Sequence, residues 1–224
     1  MIEVKNLKKS FKDGENTTEV LKGIDFMAES GDFIAIMGRS GAGKSTLLYQ
    51  MSLLDEPTSG DINIDEVNVL ALSTGERTSF RLSKLGYVFQ DYALLPEMSA
   101  LENVALPLLM QNISEKKAYA KAIEHLTLVG LGQRLNNLPG QLSGGEQQRV
   151  SIARAIAHEP KILFADEPTA NLDNESSRII MDIFKKLHSE GQTIIMVTHE
   201  VEYSKYAERI IHLDNGKIIS DEKV

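Results

Sequence analysis

Residues 33–45 read FIAIMGRSGAGKS, a short apolar run followed by a loop rich in glycine. The run FIAIM (33–37) predicts a strand buried on both faces, because it contains no polar position. The loop fits the pattern G-x-x-x-x-G-K-[ST], and the segment STLLYQMSLL that follows predicts a helix. A strand, this loop and a helix in succession are typical of a site for nucleotide phosphates. The stretch therefore predicts an α/β fold built around a phosphate-binding loop, as in P-loop NTPases.

Each residue type in this loop suits phosphate chemistry. Glycines let backbone N–H groups turn toward phosphate oxygens, Lys44 reaches the β and γ oxygens, and the Ser45 hydroxyl is a ligand for Mg²⁺. The alternative is a glycine turn between strand and helix, with the lysine in solvent. The predicted cofactor-binding residues of the loop are Gly38, Arg39, Ser40, Gly41, Ala42, Gly43, Lys44, Ser45 and Thr46.

Two acidic residues, Asp166 and Glu167, stand at the end of a second apolar strand, KILFAD at 161–166. Asp166 ends this strand, where a buried charge is costly unless a cation compensates it. We therefore assign Asp166 to the metal. Glu167 points in a different direction, and we expect it to face the γ-phosphate and to orient water. A surface acidic pair that opens a turn is the alternative.

His199 and Gln90 also follow apolar strands, TIIMVTH (193–199) and LGYVFQ (85–90). Open α/β sheets bind ligands at the carboxyl ends of their strands, which makes both residues candidates for the site. Gln90 is a candidate for the metal, although an amide at this place also suits a helix cap. A histidine at a strand end, taken alone, is more often structural.

A second glycine-rich segment, LSGGEQQR, occupies residues 142–149. Ser143 and Glu146 form the S-x-x-E pattern of a capping box, which predicts a helix start. Capping does not require Gly144 and Gly145, because glycine destabilises a helix, whereas glycines let an anion approach a positive helix end closely. Since the first loop already holds the phosphates bound by this chain, we predict that the segment meets a nucleotide on another subunit.

The apolar pattern divides the rest of the chain into layers. Alternation through residues 1–70 predicts an antiparallel β layer, and helical spacing predicts an inserted α-helical lobe. The strands that end at 166 and 199 flank a helix as a parallel βαβ unit. A hairpin that turns at Asn215-Gly216 closes the chain. We expect one α/β domain, 1–224, with a mainly parallel central sheet, a core of 1–90 and 159–224, and a lobe of 91–158.

Composition narrows the classes of function. The 224 residues contain no cysteine and carry a net charge of −8. Disulfides and thiolate-bound metals are therefore excluded, and the negative charge argues against DNA or RNA as a partner. The start of the chain lacks an apolar stretch of signal-peptide length, and no run approaches the roughly 18 apolar residues that span a bilayer. We expect a soluble, cytoplasmic chain.

With these motifs in this order, the sequence resembles the ATP-binding subunits of ABC transporters over essentially its whole length. The matching features are the loop GRSGAGKST, Gln90, the segment LSGGEQQR (142–149, hereafter the signature segment), ILFAD with Glu167, NLD (171–173) and His199. In that family, two chains pair head to tail. The resemblance implies that each ATP lies between the loop of one chain and the signature segment of the other.

The resemblance also assigns roles to single residues. It implies ATP and Mg²⁺ as cofactors and assigns the following roles: adenine stacking to Phe11; metal contacts to Ser45, Gln90 and Asp166; catalysis to Glu167, His199, Lys44 and Gln90; partner-side ATP contacts to Ser143, Gly144 and Gly145; and a place between two sites to Asp173.

Two residues depart from the family pattern. Phe11 stands where tyrosine is common, and Arg39 stands where proline is frequent. Neither change is expected to abolish binding, because base stacking tolerates any aromatic ring; an ordinary core or surface aromatic is the alternative for Phe11.

Segments 82–109 and 131–157 resemble the group that serves lipoprotein release, macrolide efflux and antimicrobial-peptide export. The expected function is an ATPase subunit that powers a separate integral membrane permease from the inner face of the cell membrane. The alternatives are an ATPase of a non-transport membrane complex, such as one for cell division, and a soluble ABC-type ATPase. A P-loop GTPase or kinase would leave the signature segment unexplained, and no N-K-x-D guanine motif is present.

Overall fold

The computed structural model describes residues 1–14 and 16–224. This part of the chain contains ten strands and seven α-helices. The strands are β1 (Ile2–Asp13), β2 (Asn16–Ala28), β3 (Phe33–Met37), β4 (Ser59–Ile64), β5 (Val67–Asn68), β6 (Leu85–Val88), β7 (Ile162–Asp166), β8 (Thr193–Val197), β9 (Arg209–Asp214) and β10 (Lys217–Lys223). The helices are α1 (Lys44–Met51), α2 (Thr74–Lys84), α3 (Ala100–Met110), α4 (Glu115–Leu128), α5 (Gly144–Ile156), α6 (Asn174–Ser189) and α7 (Val201–Ser204), and a 3₁₀ turn spans Pro139–Gln141.

Six of the described strands form a central sheet in the order β10-β9-β3-β8-β7-β6. All neighbours are parallel except β10, which pairs with β9 in an antiparallel hairpin. This hairpin turns at Asn215 and Gly216, whose φ angles are 45° and 74°. Every residue of β3, β7 and β8 is buried, as expected for parallel strands covered on both faces. Parallel strands end at one edge, so the loops after β3, β7 and β8 lie together.

A second sheet, β2-β1-β4-β5, is antiparallel and covers one face of the central sheet. Alternate side chains of β3 enter two different hydrophobic clusters. Ile34 and Ile36 pack with α1 and the antiparallel sheet, whereas Phe33 and Ala35 pack with α5, α6 and the lobe helices. The predicted α/β fold, with its parallel core, antiparallel layer and inserted helical lobe, is confirmed.

Helices α3 and α4 form most of the lobe, and α5 joins it to the core. The three helices pack against one another, while α5 also contacts β6 and α6. Side chains of the lobe and of the central sheet belong to one hydrophobic cluster. The division into a core and a lobe at residues 90 and 159 stays a prediction.

Helix α2 was missed by the sequence-based prediction. Only Phe80 and Leu82 of its residues are apolar, so the sequence shows no apolar stripe at helical spacing, and none of its residues is buried. Its start is nevertheless marked by a capping box, in which Glu76 accepts from the Ser73 backbone N–H at 2.9 Å. Ser99 and Glu102 form the same motif at the start of α3. The S-x-x-E pattern at residues 73–76 and 99–102 thus marks two further helix starts, neither of which was predicted.

Candidate nucleotide site

The glycine-rich loop lies between β3 and α1, at the carboxyl edge of the central sheet. Gly43 caps α1 with a φ of 101°, a backbone conformation that residues with a side chain rarely adopt. Lys44 is only 6% exposed, and its Nζ donates to the carbonyl oxygens of Gly38 and Arg39 at 3.0 and 3.2 Å. The lysine thus spans the loop at the helix N-terminus, which favours bound anions.

A cleft of about 760 Å³ opens over this loop. This volume lies within the range typical of small-molecule sites, about 300–1,000 Å³. The cleft is lined by Met37, Gly38, Arg39, Ser40, Gly41, Gly43, Lys44, Ser45, Thr46, Gln90, Glu167, His199 and His212. The structure therefore brings most of the predicted loop together with three predicted residues from other parts of the chain: Gln90, Glu167 and His199.

Asp166 ends β7 beside the start of α1 and is 4% exposed. Its Oδ1 accepts a hydrogen bond from Ser45 Oγ at 2.9 Å, and the Tyr87 hydroxyl lies 3.5 Å from Oδ2. Burial raises the pKa of Asp166 above its ordinary value; the hydrogen bond from Ser45 opposes this shift, and the charge of Glu167 adds to it. A buried carboxylate beside a hydroxyl is an oxygen set that suits Mg²⁺.

Glu167 leaves β7 in the left-handed backbone region, with a φ of 44°. Such strain in a residue other than glycine is concentrated at functional sites. Its Oε2 lies 2.7 Å from His199 Nδ1, and its Oε1 lies 3.8 Å from Lys44 Nζ. The carboxylate thus lines the cleft between the lysine of the loop and the histidine that follows β8.

Several predicted site residues do not line this cleft. They are Phe11, Ala42, Ser143, Gly144, Gly145, Asp166 and Asp173. Phe11 lies on β1, is 48% exposed, and has Lys9 Nζ 5.0 Å from its ring centre. Asp173 caps α6, where its Oδ1 accepts from the Ser176 backbone N–H at 2.8 Å. The aromatic ring and the residues of the signature segment thus lie outside the cleft, whereas Asp166 connects to it through Ser45.

The signature segment starts α5 with the predicted capping box. Packing within this chain also restricts side chains at both glycines, and most strictly at Gly145. A Cβ atom on Gly145 would lie 2.6 Å from Ser176 Oγ, and one on Gly144 would lie 2.9 Å from the Tyr92 hydroxyl. The sequence argument attributed both glycines to an approaching anion, and the structure adds this internal reason. Ser143 is exposed, so the helix start faces solvent.

Sequence reasoning missed two side chains at the site. His212 lines the cleft because β9 pairs with β3 and places this residue opposite Met37. Burial raises the pKa of Tyr87, so its hydroxyl stays protonated and can donate toward Asp166. The apolar runs mark both residues as strand positions, but no signal in the sequence shows that β9 lies beside β3.

Comparison with known proteins places the chain in a family. Residues 21–170 match the family described as ABC transporter. An uncharacterized ABC transporter ATP-binding protein of Methanocaldococcus jannaschii, MJ1508, is 49% identical over 219 residues, which are 98% of each chain. The lipoprotein-releasing system ATP-binding protein LolD of Syntrophotalea carbinolica is 46% identical over 97% of this chain and 96% of its own. The macrolide export ATP-binding/permease protein MacB of Bdellovibrio bacteriovorus is 45% identical over 100% of this chain and 34% of its own length.

Solved structures agree with these relatives. A dimeric, post-hydrolysis structure of the ATP-binding cassette MJ0796 bound to ADP and Pi has a TM-score of 0.93 and 41% identity, with 100% of this chain and 98% of that chain covered. A second dimeric structure of MJ0796, described as a bacterial ABC transporter cassette, has a TM-score of 0.94, 42% identity and the same coverage. With its phosphate loop, Asp166 and Glu167 arranged as described above, this chain belongs to the ABC transporter family and is an ATPase of that family.

Proposed function

We propose that this chain is the ATP-hydrolysing subunit of a membrane transporter, and that two copies close head to tail on two ATP molecules. One observation carries the proposal. The cleft is lined by most of the loop 38–46 together with Gln90, Glu167 and His199, whereas Ser143 at the start of α5 is exposed and outside the cleft. A second chain can supply that missing helix start to the γ-phosphate. The dimeric cassette structures similar to this chain support such pairing.

The residues around the cleft fit a magnesium nucleotide. In the described residues, no three His, Cys, Asp or Glu side chains form a group that could hold a metal alone. This agrees with Mg²⁺ sites of nucleotide enzymes, where substrate phosphates complete a shell begun by one or two protein oxygens. Ser45 Oγ, the Asp166 carboxylate and the Gln90 amide would hold the ion, which would offset the charge on the β- and γ-phosphates.

Hydrolysis then depends on position and charge. Lys44 Nζ, which donates to two loop carbonyls here, turns to the phosphate oxygens of ATP. Glu167 accepts a hydrogen bond from the attacking water and aligns it with the γ-phosphate, while its contact with His199 fixes the carboxylate. Because both chains share the γ-phosphate, its loss removes the bridge and the dimer opens. ATP binding thus closes the dimer, and hydrolysis opens it.

The partner that we propose is an integral membrane permease, which holds the chain on the inner face of the cell membrane. In the described residues, no helix is long and apolar enough to cross a membrane. MacB is named as both an ATP-binding and a permease protein, and this chain corresponds to 34% of it. This supports a permease as the functional partner of such an ATP-binding domain. The names LolD and MacB favour export of, or resistance to, lipoprotein, peptide or drug-like substrates.

A groove of about 280 Å³ between α2, α3 and α5 is the surface that we assign to this permease. Leu82, Leu106, Pro107 and Met110 give it an apolar lining, and Met110 is 59% exposed. Among the residues that the structure describes, the ionisable side chains lining it include two arginines and no carboxylate, in a chain of net charge −8. The groove therefore suits a permease segment with apolar and acidic side chains.

If this groove binds the permease, we expect Met110→Glu to prevent co-purification with the membrane permease that the wild-type chain retains. Ile219→Glu, a matched change at a 67% exposed position on β10, should leave it intact. Equal retention of the permease by both variants would place the permease elsewhere.

The Glu167→Gln variant tests the closing cycle. We expect it to bind ATP with unchanged affinity, to lose hydrolysis, and to elute from gel filtration as a dimer only when ATP is present. Glu190→Gln, an exposed position at the end of α6, is the matched control and should behave as the wild type. Unchanged hydrolysis in Glu167→Gln would refute the assigned role, and a monomer with ATP bound would refute the bridge.

A further inference from the structure

The loop that carries Gln90 has a strained backbone. Tyr92 and Ala93 are consecutive residues other than glycine, with φ angles of 65° and 48°. Side chains make this left-handed region unfavourable, so two such residues in a row need support from their surroundings. Gln90 itself lines the cleft. What holds the loop therefore also determines where the Gln90 amide lies.

Arg154, in the last turn of α5, supports both strained residues. Its Nη1 donates to the carbonyl oxygen of Ala93 at 2.6 Å, and its Nη2 donates to that of Tyr92 at 2.9 Å. A guanidinium is a planar fork of donors, so one side chain can hold two adjacent carbonyls in one relative orientation. A lysine at the same place has the charge without the fork.

Hydrogen bonds also reach the backbone carbonyls of Phe89 and Gln90, next to the Gln90 side chain. The buried Gln148, also on α5, donates from Nε2 to the carbonyl oxygen of Pro168 at 2.9 Å and approaches that of Phe89 at 3.4 Å. Asn171 Nδ2 donates to the carbonyl oxygen of Gln90 at 3.0 Å. Side chains of helix α5 and of the segment after Glu167 thus both hydrogen-bond to the backbone of this loop. Among these contacts, only those of Arg154 reach the strained residues.

We propose that Arg154 is a positioning residue of the ATPase site, which holds the strained loop 91–93 so that the Gln90 amide stays in the cleft. The inference rests on the proposed role of Gln90 as a metal contact. Arg154 lies at the far end of the helix that begins with the signature segment. One helix would then present its start to the partner's ATP and fix, with its last turn, the loop of its own site.

The test compares Arg154→Lys with Arg149→Lys in the full chain. Arg149 is on the same helix and also donates to carbonyls, those of Val129 at 3.1 Å and Gly145 at 3.4 Å, but it does not reach the loop. In the nucleotide-free protein, we expect hydrogen exchange of the Tyr92 and Ala93 amides to be about tenfold faster in Arg154→Lys. Arg149→Lys should leave it unchanged. Equal exchange in the two variants would overturn the proposal.

A second readout links the loop to Gln90. In Arg154→Lys, the Mg²⁺ concentration for half-maximal ATPase activity should rise several-fold, while affinity for ATP in EDTA stays constant. In a Gln90→Ala background, Arg154→Lys should cause no further rise in this Mg²⁺ concentration. A shift in Gln90→Ala without one in Arg154→Lys would overturn the positioning role. If Gln90→Ala itself does not change the Mg²⁺ dependence, Gln90 is not a metal contact. The hydrogen-exchange comparison alone then tests whether Arg154 positions the loop. Arg154→Gln serves as the second variant if thermal unfolding shows that Arg154→Lys does not fold.

Discussion

Replacement of Gly145 by alanine should destabilise the chain through a contact inside it, between the start of α5 and the start of α6. The new Cβ atom would meet Ser176 Oγ at 2.6 Å and Ser176 Cβ at 2.9 Å, both closer than side-chain atoms approach. Overpacking of this kind costs about 1–3 kcal/mol, and alanine regains up to about 1 kcal/mol as a better helix former. The free energy of unfolding should therefore fall by about 1–2 kcal/mol.

Gly144→Ala is the matched control, because its Cβ atom would meet the movable end of a side chain, the Tyr92 hydroxyl at 2.9 Å. Its net effect should be below about 0.5 kcal/mol, since the gain in helix propensity offsets a small shift of the ring. The chain contains no tryptophan, so urea unfolding is best followed by far-UV circular dichroism.

Ser176→Gly completes the experiment. It removes both clashing atoms and leaves Ser176 Cα, at 3.9 Å, as the nearest neighbour on that side. By itself it costs about 0.5 kcal/mol of helix propensity, but in Gly145→Ala it should restore most of the lost stability, with a coupling of about 1–2 kcal/mol. Equal stabilities of Gly145→Ala and Gly144→Ala, or strictly additive effects with Ser176→Gly, would refute the packing explanation of Gly145.

Three further predictions concern the predicted site residues Asp166, Phe11 and His199. Because burial raises the pKa of Asp166 in the folded state, its ionised form destabilises the fold at pH values above the ordinary pKa of aspartate. Asp166→Asn should therefore raise the free energy of unfolding at pH 7 by on the order of 1 kcal/mol. Urea unfolding repeated toward pH 3 should show this gain disappear, because the carboxyl is then neutral in both states. Phe11→Leu should weaken ATP binding by about 1–3 kcal/mol in calorimetry, whereas Phe11→Tyr should bind as the wild type; equal affinities for all three would remove Phe11 from the adenine site. His199→Ala should lower kcat about 100-fold or more and leave ATP affinity unchanged, and a loss of affinity with normal kcat would contradict its role.

The sequence predicted the phosphate loop and the strands around it because their signals are local. The buried apolar run before Gly38 spans only a few residues, as does the acidic pair Asp166-Glu167 at the end of the run KILFA, so periodicity and motif spacing are enough to predict them. The Asp166 carboxylate and the Ser45 hydroxyl could be assigned to one site from the sequence, because both groups suit the same Mg²⁺ ion. In the structure, Ser45 Oγ lies 2.9 Å from Asp166 Oδ1. The roles of these residues in catalysis stay predictions.

The features that were missed depend on contacts between distant segments. His212 reaches the cleft only because β9 lies beside β3, and strand order is set by packing that no local pattern records. Arg154 holds Ala93 across 61 positions of sequence, and Gly145 faces Ser176 on another helix. Helix α2 is a different case, since its capping box at Ser73 was readable but its apolar stripe was weak.

The central claim is that an active site takes its phosphate loop from one chain and its signature segment from another. The most direct measurement mixes two variants that are each inactive alone: Lys44→Ala, with a damaged loop, and Ser143→Arg, with a blocked helix start. A head-to-tail mixed dimer contains one intact site, formed by the loop of the Ser143→Arg chain and the signature segment of the Lys44→Ala chain. The account predicts that ATPase activity returns on mixing; a mixture no more active than its separate components would contradict it.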